Sequence, residues 1–167
     1  MKRPSHVPLA ASFVLLAACL VARPVPAASV LSDEQRFSAV DTQGQKIDLS
    51  ELLQTHRAVL VNFWATWCAL CKEEIPELTK LYSAHRRDGI AIIGVNVAES
   101  PRKVQAYAKK LGVNYPVVLD RESEIAETWN VVGLPLSILV RADGSLAGPY
   151  SGWTQELQRD VEAALTQ

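Results

Sequence analysis

The sequence is poor in the residues that mark several specialised classes of protein. Its 167 residues include three cysteines, three histidines and one methionine, and 18 acidic residues nearly balance 17 basic ones. So few cysteines exclude a disulfide-scaffold mini-protein, and a chain of this length can bury a core without such crosslinks. The near-neutral charge offers no basic surface, so we expect no nucleic-acid partner. A single compact enzyme or binding domain remains.

Long apolar runs are also scarce, and the longest uncharged one lies at the start of the chain. Residues 7–22 carry no charge, follow Lys2 and Arg3, and precede a stretch of proline and alanine. Sixteen residues are fewer than the roughly 20 that span a membrane. The pattern predicts an export signal over residues 1–27. Alternatives are a lipoprotein signal that ends before an acylated Cys19, and an uncleaved membrane anchor. Each places the domain outside the cytoplasm, and we expect the bacterial periplasm.

The rest of the chain alternates between strand and helix patterns. We expect a linker at residues 28–34 and one α/β domain with a mixed sheet over residues 35–167. The predicted elements are a hairpin of residues 35–40 and 45–49, a helix at 51–55, a strand at 58–64, a helix from Cys68 to about Arg87 kinked at Pro76, a strand at 90–97, a helix ending near Leu111, a strand at 117–119, a helix at 122–129, strands at 137–141 and 145–151, and a helix at 154–166.

The strongest chemical signal is a Cys-x-x-C motif where the buried strand meets the long helix. Cys68 and Cys71 lie three residues apart on the first helical turn, so their sulfurs can close a small disulfide ring. The helix N-terminus stabilises a thiolate, which makes Cys68 the expected nucleophile and Cys71 the resolving thiol.

Two other uses of the cysteine pair fit less well. A static disulfide around so short a loop would add little stability. A structural zinc site needs a second pair of ligands, and His56 and His85 have no partner at a suitable spacing. We therefore expect a redox-active disulfide, with neither a metal nor a cofactor.

Residues 61–76 read Val-Asn-Phe-Trp-Ala-Thr-Trp-Cys-Ala-Leu-Cys-Lys-Glu-Glu-Ile-Pro. This segment resembles the active-site segment of the thioredoxin superfamily, and its form is similar to the TlpA/ResA branch of exported thiol-disulfide oxidoreductases. Residues 94–100, 115–120, 133–135 and 143–144 extend the match over nearly all of the domain. The resemblance implies a thioredoxin-like fold with helices flanking the sheet, an N-terminal β-hairpin and a central β-α insertion.

The resemblance also implies substrate-binding residues. Pro135 stands where the family has a cis-proline opposite the two cysteines, and Leu134 before it would pair through its backbone with the substrate. Trp67 is expected to form an apolar lip for substrate, whereas Trp64 is expected in the core and Trp129 and Trp153 in packing roles.

The base for the resolving cysteine needs a separate candidate. Asn62 stands where thioredoxin itself has a buried aspartate, and an amide takes no proton. Glu74 shares a helical face with Cys71, and Glu99 ends the adjacent strand. We expect either carboxyl to lie near the thiols with a raised pKa and to assist proton transfer from Cys71. Glu73 is interpreted as a solvated acid.

The resemblance implies reduction of disulfides in periplasmic proteins, for example in cytochrome c or copper-site assembly, with electrons from a membrane-bound thiol donor. Leu136 replaces the acidic residue of the cytochrome-maturation relatives, and Leu70 replaces a frequent proline, so target and potential stay open. A peroxidase is one alternative, but Thr66 stands two residues before Cys68 rather than three. A copper or zinc carrier is another, without a well-placed histidine.

Overall fold

The computed structural model describes residues 29–166. The predicted export signal of residues 1–27, including Cys19, lies outside this range. A five-stranded mixed sheet with the strand order β5-β4-β3-β6-β7 forms the centre of the domain. Its strands are β3 (Ala58–Trp64), β4 (Ile90–Val97), β5 (Val117–Asp120), β6 (Leu136–Arg141) and β7 (Leu146–Tyr150).

Helices flank this sheet, and a small hairpin precedes it, which confirms the thioredoxin-like fold predicted from the sequence. The central β-α insertion that the resemblance implies corresponds to β5 and the helix Glu124–Thr128. Within residues 29–166, no helix is long and apolar enough to cross a membrane. The hairpin strands are β1 (Ser38–Val40) and β2 (Lys46–Asp48), and the helices are α1 (Leu49–Thr55), α2 (Ala69–His85), α3 (Pro101–Leu111), α4 (Glu124–Thr128) and α5 (Gln155–Thr166).

Local capping explains where two of the helices begin. The Asp48 carboxylate accepts hydrogen bonds from the backbone N–H groups of Ser50 and Glu51, so α1 begins two residues before its predicted start. In α2, Cys68 is the N-cap rather than the first helical residue, and its sulfur accepts a hydrogen bond from the Cys71 N–H. The first reactive atom of the motif therefore sits at the helix end.

Strand β3 is buried along its whole length and separates two apolar layers. It runs parallel to β4 and antiparallel to β6. Val59, Val61 and Phe63 belong to the layer that includes residues of α1 and α4. Leu60 belongs to the opposite layer, with residues of α2 and α5. Asn62 interrupts this second layer with a polar group, opposite Gly94 of β4 and Ser137 of β6.

Residues 29–31, which fall within the predicted linker at 28–34, pair with the region around the start of β7. The Leu146 N–H donates to the Ser29 carbonyl at 2.7 Å, and the Leu31 N–H donates to the Gly144 carbonyl at 2.9 Å. The Leu31 side chain is only 5% exposed. Apolar burial and two backbone hydrogen bonds thus fix a segment that has no strand pattern of its own.

Both edges of the central sheet have neighbours. At the β5 edge, the Thr42 N–H donates to the Val117 carbonyl at 2.8 Å. At the β7 edge, residues 29–31 pair with the strand and the turn before it. Farther along β7 stands Pro149, which has no N–H to donate.

Gly94 leaves room in the core for two large aromatic side chains. A Cβ added there would lie 3.0 Å from Trp64 Nε1 and 3.2 Å from Tyr115 Cε2. Because both rings are buried, we expect Gly94→Ala to lower the free energy of unfolding by about 1–3 kcal/mol through overpacking. Denaturant unfolding measures the change.

Gly133→Ala is the matched control for this prediction, because its added Cβ meets nothing within 4 Å. We expect it to change the free energy of unfolding by less than about 1 kcal/mol. Equal effects of the two substitutions would contradict the close packing inferred at Gly94.

Candidate active site

A disulfide joins Cys68 to Cys71 at the junction of β3 and α2. Cys68 is 6% exposed and Cys71 is fully buried. Although Cys68 lies at a turn, most of its surface is covered, because it belongs to an apolar cluster with Trp64, Ile75 and Val104. Of the two sulfur-bearing residues, only Cys68 retains any accessible surface, which agrees with its prediction as the nucleophile.

An apolar surface surrounds the covered disulfide. Trp67 and Leu70, which flank Cys68, are 69% and 59% exposed. Leu134 packs against the cluster that contains both cysteines, and the Leu134–Pro135 peptide bond is cis, as the sequence predicted. The structure therefore brings the cis-proline segment to the redox-active cysteines.

The remaining tryptophans have the packing roles predicted for them. Trp64 is 1% exposed and Trp129 is 3% exposed. The Trp129 ring packs at 5.8 Å, between ring centroids, from Phe63, and its Nε1–H donates to the Gln35 carbonyl at 3.0 Å. Trp153 is partly buried against the layer under α5.

Glu74 is a buried carboxyl on α2, three residues after Cys71. Its side chain accepts a hydrogen bond from Asn62 Nδ2 at 2.9 Å and another from Ser137 Oγ at 3.2 Å. Burial raises the pKa of Glu74 to about 7, although both hydrogen bonds act to lower it. The direction of this pKa shift is the one expected from the sequence. Near neutral pH the carboxyl can both take up and release a proton.

The sequence analysis missed Ser137, which completes the buried polar group. Asn62 Nδ2 donates to Ser137 Oγ at 2.9 Å, so Asn62, Glu74 and Ser137 contact one another. Asn62 therefore cannot carry a proton as the aspartate of thioredoxin does. Its side chain instead donates a hydrogen bond to Glu74, whose pKa is raised to about 7. Ser137 could have been identified only through the pairing of β3 with β6, which places it opposite Asn62.

Glu99 corrects the second prediction of a raised pKa. Burial alone would raise the pKa of Glu99, but hydrogen bonds from Lys103, Thr66 and Asn96 lower it to about 2. The carboxylate accepts a hydrogen bond from the Lys103 ammonium at 2.6 Å. It also accepts hydrogen bonds from the N–H and the hydroxyl of Thr66, each at 2.6 Å. The lowered pKa keeps Glu99 ionised at neutral pH, contrary to the raised pKa expected from the sequence.

The arrangement therefore separates two kinds of carboxyl beside one disulfide. Glu74 titrates near neutral pH, and Glu99 carries a fixed charge with a lysine partner. Glu73, between Lys72 and Glu74, is exposed, as expected of a solvated acid. Among residues 29–166, no three His, Cys, Asp or Glu side chains form a group that could hold a metal ion. The chemistry that the cysteine pair supports is thiol-disulfide exchange.

Comparison with known proteins agrees with this chemistry. The AhpC/TSA family matches residues 30–148. The chain is 37% identical over 125 residues to the thiol-disulfide oxidoreductase ResA of Bacillus subtilis. The matched segment covers 75% of this chain and 69% of that protein. The chain is 30% identical over 139 residues to ResA of Geobacillus kaustophilus, which covers 82% and 79%.

The fold is also found among solved structures. A thiol:disulfide interchange protein of the thioredoxin family from Chlorobium tepidum has 30% sequence identity and a TM-score of 0.70, with 86% of this chain and 98% of that chain covered. The chain therefore belongs to the AhpC/TSA family and is, within it, a thiol-disulfide oxidoreductase of the ResA type.

Proposed function

We propose that this protein reduces disulfides in partner proteins of the periplasm, using Cys68 and Cys71 as a two-electron dithiol. The observation that carries the proposal is the buried Glu74 carboxyl on the helix of both cysteines. Its pKa of about 7 suits the removal of a proton from a buried thiol at neutral pH. Two relatives that are 37% and 30% identical to this chain are named thiol-disulfide oxidoreductases.

In the first step, the Cys68 thiolate attacks one sulfur of the partner's disulfide. The new bond joins Cys68 to that sulfur, and the other partner sulfur leaves as a thiolate and takes a proton from solvent. Cys68 suits this role because it is the N-cap of α2, where the backbone N–H of Cys71 points at its sulfur at 3.1 Å. A negative sulfur is stabilised at such a helix end.

In the second step, Cys71 gives its proton to the Glu74 carboxylate and attacks the Cys68 sulfur. The Cys68–Cys71 bond forms and the mixed disulfide breaks, so the second partner sulfur leaves as a thiolate and receives the proton from Glu74. Two electrons pass to the partner, which ends as a dithiol. A buried base is needed because Cys71 is fully buried and cannot lose its proton directly to water.

Substrate contact is assigned to the apolar surface around the disulfide. Trp67 offers an exposed ring beside Cys68, and Leu134 lies before the cis-proline Pro135. The backbone of Leu134 is proposed to pair with an extended segment of the partner. Because Leu136 is not acidic, this surface sets no electrostatic requirement for one target, and both apocytochrome c thiols and copper-site cysteines fit.

The proposed compartment adds a requirement for a protein that acts as a reductant. Thiols outside the cytoplasm become oxidised, so a reductant there needs continual supply of electrons. We assign that supply to a membrane-bound thiol donor, which would reduce the Cys68–Cys71 disulfide after each turnover. The predicted export signal at residues 1–27, with Cys19 as an alternative lipid-attachment site, supports this location.

The reduction potential of the Cys68–Cys71 pair tests the direction. We expect a value near that of thioredoxin, about −270 mV, from equilibration of the protein with glutathione or dithiothreitol buffers. A value near that of DsbA, about −120 mV, would contradict the reductant and indicate an oxidant instead. Consumption of hydrogen peroxide by the reduced protein, measured in parallel, would favour the peroxidase alternative.

A further inference from the structure

We propose that Glu99 is a positioning residue that fixes the turn before the nucleophile Cys68. The inference concerns the geometry of Cys68 itself, so it holds for either direction of electron flow. Its basis is a set of short contacts between the end of β4 and residue 66, which stands two positions before Cys68.

The carboxylate holds Thr66 at two points. Thr66 N–H donates to one Glu99 oxygen and Thr66 Oγ1 donates to the other, each at 2.6 Å. Charge-assisted hydrogen bonds of this kind are about twice as strong as neutral ones. A pair of them restrains both the position of the Thr66 backbone and its side-chain rotamer.

Glu99 is itself held from two further sides. Asn96 Nδ2 donates to it at 2.9 Å, and Lys103 Nζ donates at 2.6 Å. The Glu99 side chain is 4% exposed, whereas the Lys103 side chain is 56% exposed. Lys103 thus compensates the buried charge from the surface while β4 and α3 anchor the carboxylate. A residue anchored in this way can act as a rigid support for the turn.

The backbone before Glu99 adds an independent observation. Ala98 has φ of 58°, in the left-handed region that is unfavourable for a non-glycine residue. Its N–H donates to the Asp120 carbonyl at 2.8 Å, which holds this conformation. The chain therefore bends sharply between the end of β4 and the Glu99 carboxylate. Strained backbone of this sort tends to be kept where a functional group must be aimed.

A short turn connects Thr66 to Cys68, so a restraint on Thr66 also restrains the position of the Cys68 sulfur. The Cys68 N–H donates to the Ala65 carbonyl at 3.2 Å, so residues 65–68 form one hydrogen-bonded unit. Cys68 ends this unit as the N-cap of α2. A displaced Thr66 would move Cys68 relative to the helix N-terminus and would change the approach of its sulfur to a disulfide. Misplacement by about 1 Å can cost a hundredfold in rate.

Glu99→Gln tests the proposal with the exposed Glu73→Gln as a control of equal charge change. The measured quantity is the rate constant of the Cys68 thiolate with Ellman's reagent, corrected for the thiolate fraction from absorbance at 240 nm. We expect Glu99→Gln to lower this constant about tenfold and Glu73→Gln to leave it within about twofold. If Glu99 affected Cys68 only through its charge, both variants would shift the Cys68 pKa and neither would change the corrected rate constant. That result would overturn the proposal.

Two variants of Thr66 keep the test decisive if Glu99→Gln fails to fold. Thr66→Val removes one of the two hydrogen bonds and is expected to lower the corrected constant about threefold, whereas Thr66→Ser keeps the hydroxyl and restores it. In a folded Glu99→Gln background, Thr66→Val should add little, because both act on one contact. Equal rates for the valine and serine variants, or additive losses in the double variant, would refute Glu99 as a positioning residue. A wild-type protein that fails to react would instead question the exchange activity.

Discussion

Cys71→Ser is expected to leave the protein joined to its partners through Cys68, whereas Cys68→Ser should abolish disulfide exchange. The first variant can still attack a partner disulfide but has no second thiol to break the mixed bond. The second lacks the only sulfur-bearing residue of the pair with accessible surface. Non-reducing electrophoresis of the proteins expressed in a periplasm, followed by mass spectrometry of the adducts, measures both results.

The double variant Cys68→Ser/Cys71→Ser is the control for this trapping, because it keeps the fold and its apolar surface but neither thiol. We expect adducts of Cys71→Ser to disappear on treatment with dithiothreitol and to be absent from the double variant. Adducts that form through Cys71 in Cys68→Ser, at a similar yield, would reverse the assigned roles of the two cysteines.

Glu74→Gln is expected to raise stability above neutral pH and to slow resolution of the mixed disulfide. The pKa of Glu74 rises from 4.5 to about 7 on folding, so the folded state binds its proton more tightly than the unfolded state. The wild-type free energy of unfolding should therefore be highest below pH 4.5, as far as this group is concerned, and should fall as pH rises to about 7. The loss is on the order of 3 kcal/mol at about 1.4 kcal/mol per pKa unit.

Glutamine can keep the contacts to Asn62 and Ser137 but takes up no proton, so Glu74→Gln should lack this fall in stability. Denaturant unfolding from pH 4 to 8 measures it, with Glu73→Gln as the exposed control. Resolution should slow by about two orders of magnitude, the lower end of the roughly 10²–10⁴-fold that general acid–base catalysis contributes. Identical pH profiles of stability and rate in Glu74→Gln and wild type would remove Glu74 from the mechanism.

The order of the elements could be predicted because local patterns determine it. The buried run at residues 58–64 and the cap of α1 at Asp48 need no knowledge of distant residues. Cys68 and Cys71 were equally visible, since both chemistry and helix position follow from their spacing. Glu74 could be selected as a candidate from its place on the helical face of Cys71.

The environment of each carboxyl depended on residues far away in the sequence. Ser137 meets Asn62 across 75 residues, through a strand register that no local pattern specifies. Glu99 looked equivalent to Glu74 because each is an acid near the thiols. Only the fold shows that Thr66, 33 residues away, meets Glu99 and helps to lower its pKa to about 2.

The covered edges of the central sheet restrict how other chains can meet this protein. An exposed edge strand offers a row of N–H and carbonyl groups on which a foreign strand can add, and such additions lead to aggregation. Here Thr42 occupies one edge, and residues 29–31 together with Pro149 interrupt the other. An extended segment of another chain therefore finds little free sheet edge to pair with along the described strands. The same coverage lowers the tendency of copies of this chain to pair through their sheet edges and aggregate.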